Sequence, residues 1–109
     1  MLSDDSISKI VSSINSFNEL TRLKILFLLK DSPANVKELQ KLTSRSQSAI
    51  SHHLAVLRSE NLVKYEKDGR NIIYSLSDRH IYEILSSLRE HVLEKNNSMI
   101  DEVYSNENG

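Results

Sequence analysis

A mostly α-helical domain carrying one small β-hairpin is predicted by three observations. Apolar residues recur at intervals of three and four along several stretches of the 109-residue chain, the period of a helix with one buried face. Asp68-Gly69 stands between two β-prone runs, a pairing that marks a tight hairpin turn. Glycine occurs twice and proline once, so helices meet few breakers. With 39% apolar and 27% charged residues the composition is that of one globular core. That domain is predicted to span residues 1–97, followed by a polar tail at 98–109.

The elements follow in order. Ile7, Ile10, Val11, Ile14 and Phe17 form one stripe of a first helix from about Ser6 to Phe17. Thr21 is expected to cap a second helix, whose Leu23, Ile25, Leu26, Phe27, Leu28 and Leu29 leave almost no polar face and so suit the centre of a bundle. It ends before Asp31-Ser32-Pro33-Ala34, and Asn35 caps a short third helix carrying Val36, Leu39 and Leu42. After Thr43-Ser44-Arg45, Ser46 caps a fourth helix running to about Ser59, with Ile50, Leu54 and Leu57 facing inward. The strands follow as Leu62 to Lys67 and Arg70 to Leu76. A last helix is expected from Ser77 or Asp78 to Lys95, with Ile81, Ile84, Leu85, Leu88 and Val92 as its stripe and Asn96-Asn97 as its end. Met99, Ile100, Val103 and Tyr104 are spaced for at most one or two more turns.

Composition also excludes function classes. The chain has no cysteine, which removes a disulfide framework, a thiolate metal site and thiol catalysis. No apolar run approaches the ~20 residues that cross a bilayer, and the start Met1-Leu2-Ser3-Asp4-Asp5 is acidic where a signal peptide is basic. A soluble cytoplasmic protein without a membrane partner is expected. Net charge is −1, yet residues 36–75 carry seven basic and four acidic groups, and residues 96–109 carry three acidic groups and no basic one. The only basic excess therefore sits mid-chain.

Helix, helix, short helix, turn, helix, hairpin, helix is the order of a winged helix-turn-helix, whose second motif helix enters the DNA major groove while the hairpin flanks it. Placing Ile50 at the centre of the buried stripe and advancing about 100° per residue turns Ser48, Ser51, His52 and Ala55 outward, with Gln47 at the first turn. These short polar side chains allow close approach; Gln can pair with adenine, and a helix N-terminus favours phosphate oxygens. Arg45, Lys37 and Lys41 nearby, with Lys64, Lys67 and Arg70 on the hairpin, would supply backbone contacts. His53, at the edge of the buried stripe, reads as a partly buried, hydrogen-bonded histidine.

From Ser46-Gln47-Ser48-Ala49-Ile50-Ser51-His52-His53-Leu54 through Leu62-Val63, Gly69-Arg70 and Tyr74-Ser75-Leu76, the chain resembles the ArsR/SmtB family of metal-sensing repressors over about residues 5–95. The resemblance implies a homodimer, joined through the N-terminal and C-terminal helices, that binds operator double-stranded DNA and releases it on sensing a ligand. By position it assigns the DNA contacts to Gln47, Ser48, Ser51 and His52.

Asp78 and His80 stand at the start of the last helix, His91 and Glu94 near its end. On a continuous α-helix the two histidines lie within about 20° of one edge but about 16 Å apart along the axis, too far for one metal ion. Two antiparallel copies of the helix would bring each pair against the other pair, giving two equal sites per dimer with Ser86 and Ser87 at the crossing. Two imidazoles and two carboxylates suit tetrahedral zinc, with cobalt as an alternative. Asp78 also reads as a helix cap, Glu94 as a surface carboxylate, and Glu83 and Glu90 are near enough to compete. The spacing matches the family's interfacial zinc site, and the family's cysteine site is excluded at Val36-Lys37-Glu38-Leu39. The resemblance further implies that His91 transmits occupancy to the backbone near Asn61.

The function expected is a repressor whose metal-free dimer binds a palindromic operator and is released by zinc or cobalt. Rival readings are a winged-helix repressor answering a non-metal effector or none, a winged-helix protein-interaction module, and a small zinc hydrolase. The last is disfavoured because four protein ligands leave no open coordination position.

Overall fold

A computed structural model describes residues 1–94. Ser3 opens α1 (Asp4–Phe17) by accepting a hydrogen bond from the Ser6 amide, and Asp4 and Asp5 lie in the first turn, where negative charge suits the helix dipole. The cap of α2 (Leu20–Asp31) is Glu19, whose carboxylate accepts from the Arg22 amide at 2.8 Å. The expected cap, Thr21, lies inside the first turn and is buried. A Glu reaching the amide three residues on does the work usually given to a shorter side chain, so the helix begins earlier than propensity suggests.

Ile25, Leu26 and Leu29 make α2 the spine of the core. The segment after it pairs with the wing: the Ala34 amide donates to the Tyr74 carbonyl at 3.0 Å and the Tyr74 amide returns the bond at 2.8 Å. Asn35 and Glu38 then form a reciprocal capping box at the start of α3 (Val36–Thr43). Leu39 is fully buried, but Leu42, expected on the same stripe, is 55% exposed. The inward edge of this eight-residue helix is taken by Leu39 and Thr43, with half-buried Val36, and Leu42 is left at the surface.

The turn into α4 (Gln47–Ser59) is built by side chains. Buried Thr43 donates its hydroxyl to the Leu39 carbonyl at 2.7 Å and accepts from the Arg45 amide, while Ser44 takes a left-handed φ of 58°. Ile50, Leu54 and Leu57 of α4 pack into the α2 core. The hairpin comprises β1 (Val63–Asp68) and β2 (Asn71–Leu76), paired antiparallel from Val63 opposite Leu76 to Asp68 opposite Asn71. The two-residue loop is thus Gly69-Arg70, one residue beyond the predicted Asp68-Gly69. Gly69, at φ +63°, takes the first loop position, where a twisted hairpin needs a residue free of Cβ strain.

Asp78 caps α5 (Arg79–Arg89) by accepting from the Ile81 amide. The predicted unbroken helix to Lys95 is not what forms: Glu90–Glu94 winds as a π-turn, α6. Its wider winding ends the 100° phase relation at Arg89. Lys95, the predicted end at Asn96-Asn97, the boundary at residue 97 and the tail lie outside the described residues.

The packing predicts that Leu54→Ala costs about 2–5 kcal/mol in urea unfolding at fixed protein concentration, since it opens a cavity in the core. Gly69→Ala meets nothing within 4 Å, so only backbone strain, about 1–2 kcal/mol, should register.

Candidate nucleic-acid interface

The sequence of α4 divides its surface. Ser46 accepts from the Ala49 amide at 3.1 Å and fixes the start of the helix. Ile50 and Leu57 are fully buried and Leu54 nearly so. On the other side Gln47, Ser48, Ser51, His52 and Ala55 are all exposed. The buried edge makes rotation of α4 about its axis costly, so the polar side is held outward.

The surroundings of α4 add positive charge. Arg45, in the turn before it, and Lys37 and Lys41, on α3, are exposed. Gln47 shares a cleft with Lys37, Gln40, Arg70 and Asn71, between the start of α4 and the wing tip. Lys64 and Lys67 are exposed but not equivalent. Strand alternation puts Lys64 on one face with Glu66 and Asp68, and Lys67 on the other with Val63 and Tyr65. The cationic end of the wing is therefore its tip, Lys67 and Arg70, while Lys64 has two carboxylates for neighbours on its face. The wing is braced to α4 by Arg58, stacked 4.3 Å over the Tyr65 ring, which pairs across the hairpin with Tyr74.

Behind the exposed polar face of α4 lies a polar cluster that the sequence did not assemble. Arg22 of α2 donates from Nε to His53 Nδ1 at 3.1 Å and from its guanidinium to the Ser16 carbonyl at 3.1 Å. Glu19 Oε2 lies 3.8 Å from the same His53 nitrogen. An accepting Nδ1 carries no proton, so the ring is neutral with its proton on Nε2. Burial pushes the His53 imidazole below the usual histidine range; the Glu19 carboxylate works against this, and Arg22, His52 and Arg45 reinforce it. The Arg22 amide holds the Glu19 carboxyl below its ordinary range, against a desolvation cost. His53 was legible as half-buried, but nothing in the sequence pairs position 22 with position 53.

Of the four candidate metal ligands, the structure brings together Asp78 and His80 within one chain. Asp78 Oδ1 is 3.6 Å from His80 Nδ1, with both side chains exposed. His91 and Glu94 are exposed on α6. Among the described residues no group of three His, Cys, Asp or Glu converges. The start of α5 is tied to the end of α4: the Ser77 amide donates to the Leu62 carbonyl at 3.1 Å, and the Ser77 hydroxyl donates to the Asn61 carbonyl.

Comparison with known proteins agrees with this geometry. Residues 20–65 match the model for bacterial regulatory proteins of the arsR family. A transcriptional repressor SmtB homolog from Synechocystis sp. is 32% identical over 94 residues, covering 86% of this chain and 71% of that protein. The HTH-type transcriptional regulator NmtR of Mycobacterium tuberculosis is 34% identical over 90 residues, covering 83% and 75% respectively. HlyU from Vibrio cholerae has a similar structure, with a TM-score of 0.76 at 31% identity over 84% of this chain and 99% of that one. These relatives are regulators of DNA-templated expression, and among the described residues no helix is long and apolar enough to cross a membrane. The chain belongs to the ArsR/SmtB family of winged helix-turn-helix transcriptional regulators and is not an enzyme.

Proposed function

We propose that the chain is a homodimeric repressor that binds a palindromic operator when metal-free and lets go when zinc, or cobalt in its place, bridges its C-terminal helices. The observation that carries the DNA half is the outward face of α4, where Gln47, Ser48, Ser51 and His52 stand exposed opposite a fully buried edge. Gln47 would read a base edge, while Arg45, Lys67 and Arg70, with Lys64 behind them, would hold the phosphates. A second copy supplies the symmetry: two such helices one turn of DNA apart fit a palindrome.

Two apolar surfaces support the dimer. On α1, Ile7, Ile10, Val11 and Ile14 are each 46–48% exposed. On α5 and α6, Ile84, Leu88, Val92 and Leu93 are exposed, and the last three line an apolar groove with Leu23 and Phe27 of α2. Patches of this kind on a small chain mark a protein interface.

The donor chemistry fits a borderline-soft cation. Asp78 and His80 stand adjacent, and the Asp78 carboxylate, which spends one oxygen on the α5 cap, keeps its second for another partner. With His91 and Glu94 of the partner subunit they would hold one ion, and the ion supplies a cross-link between the two C-terminal helices. The protein's part is to pass that constraint on. Ser77 anchors α5 to Asn61 and Leu62 directly after α4, and the non-coordinating nitrogen of His91 would reach the same stretch of backbone.

Zinc titration of the dimer against its own promoter fragment, at fixed salt, tests this reading. Zinc should bind saturably at two ions per dimer and weaken operator binding, about 5–150-fold for coupling of 1–3 kcal/mol. Absence of a saturable site would instead favour a non-metal effector. His91→Ala should keep operator binding while losing release by zinc, as read by fluorescence anisotropy. Gln47→Ala should lose about 1–3 kcal/mol of operator affinity and relax specificity at one base position, with zinc binding retained.

A further inference from the structure

We propose that Arg22 is a positioning residue for the reading helix, acting through the imidazole of His53, and that uptake of a proton by this imidazole opens the brace and weakens operator binding. This rests on the reading of α4 as the operator-contact helix, and adds to it a second input far along the chain from the C-terminal ligand set.

The geometry is specific. His53 follows His52, one of the exposed candidate contacts, and the two rings lie 5.8 Å apart. Its Nδ1 accepts the Arg22 Nε–H, and the same guanidinium donates to the Ser16 carbonyl at the end of α1. One side chain of α2 therefore joins the reading helix to the close of α1. The charged and titratable groups facing His53 are Glu19, the cap of α2, Arg22 within α2, Arg45 from the turn before α4, and His52 on α4 itself. A protonated Nδ1 cannot accept: an N–H would point at an N–H, and a cation would stand 3.1 Å from a guanidinium nitrogen. Glu19, at 3.8 Å, is the one carboxylate among these groups and the acceptor to which the ring would turn, leaving Arg22 without its bond to α4.

The sign follows from the environment. The folded state holds His53 below its ordinary range, chiefly through burial, so the unfolded chain takes up its proton first as pH falls. Stability from the neutral brace is complete above about pH 6.5, the unfolded value, and is lost as pH falls through the lower folded value. Glu19, also held below its ordinary value of 4.5, loses its contribution only in stronger acid.

The test uses the full chain without metal, in chelator and at fixed salt. Operator affinity of wild type and His53→Gln is measured from about pH 7.5, above the ordinary histidine range, down through the midpoint of the His53 ring. Gln keeps an acceptor for Arg22 but cannot titrate, and His52 is common to both proteins, so its protonation cancels in the comparison. Wild type should lose about twofold affinity relative to His53→Gln at the midpoint of the folded His53 ring and more below it, as the brace-competent fraction falls. Urea unfolding should show the matching slope below about pH 6.5 in wild type and not in His53→Gln. An NMR titration of the His53 ring gives an independent readout: Arg22→Ala should raise its midpoint, because a cation and a donor are removed. Parallel affinity curves for the two proteins, or a His53 midpoint unmoved by Arg22→Ala, overturn the proposal. No operator binding by wild type at about pH 7.5, where the ring is neutral, overturns the reading of α4 on which it rests.

Discussion

The orientation of the proposed DNA-contact face depends on the burial of one edge of α4 against α2. Ile50, Leu54 and Leu57 interlock with Ile25, Leu26 and Leu29, joined by Leu39 from α3 and Leu85 from α5. At roughly 1.5–3 kcal/mol for each buried Leu or Ile side chain, turning α4 by even a quarter-turn would forfeit more than a small domain can spare. The consequence is geometrical. A helix that cannot roll presents the same polar side chains outward in every molecule, and recognition of a fixed pattern of base edges requires that.

The wing and the C-terminal helix are attached to this frame by different means. The wing is held at three places: the paired hydrogen bonds between Ala34 and Tyr74, the stack of Arg58 over Tyr65, and burial of Leu62 and Val63 at its base. In contrast, α5 has one buried residue, Leu85, and its first turn is secured by Ser77 to the carbonyls that follow α4. A helix so lightly packed on its own chain takes much of its orientation from whatever covers its exposed stripe. Besides Leu85 in the shared core, α5 is tied to the end of α4 by the hydrogen bonds of Ser77 to Asn61 and Leu62, where Asn61 adopts a left-handed φ of 57°.

The polar interior contributes in a different way. Arg22, His53, Glu19 and the Ser16 carbonyl form a connected set in which one imidazole nitrogen is required to accept. Apolar packing is indifferent to pH, whereas such a set holds its geometry in only one protonation state. The helix α4 is thus held on one side by contacts that do not titrate and on another by one that does.

The sequence by itself determined the order and type of the elements, because apolar periodicity and local capping are decided within a few residues. Asn35 with Glu38, Ser46, and the run Ile50, Leu54, Leu57 each act over one or two helical turns. The outward set Gln47, Ser48, Ser51, His52 was legible for the same reason: once the buried edge is known, the opposite face follows from the helix repeat. Tertiary structure alone decided what joins distant positions or depends on exact winding. It moved the hairpin loop to Gly69-Arg70, left Leu42 at the surface, and exchanged the α-helical phase for a π-turn at Glu90–Glu94. It also brought Arg22 to His53 across 31 residues of chain. Long-range polar contacts leave no periodic trace in a sequence, since a hydrogen bond needs one donor and one acceptor at one point in space and nothing repeated along the chain.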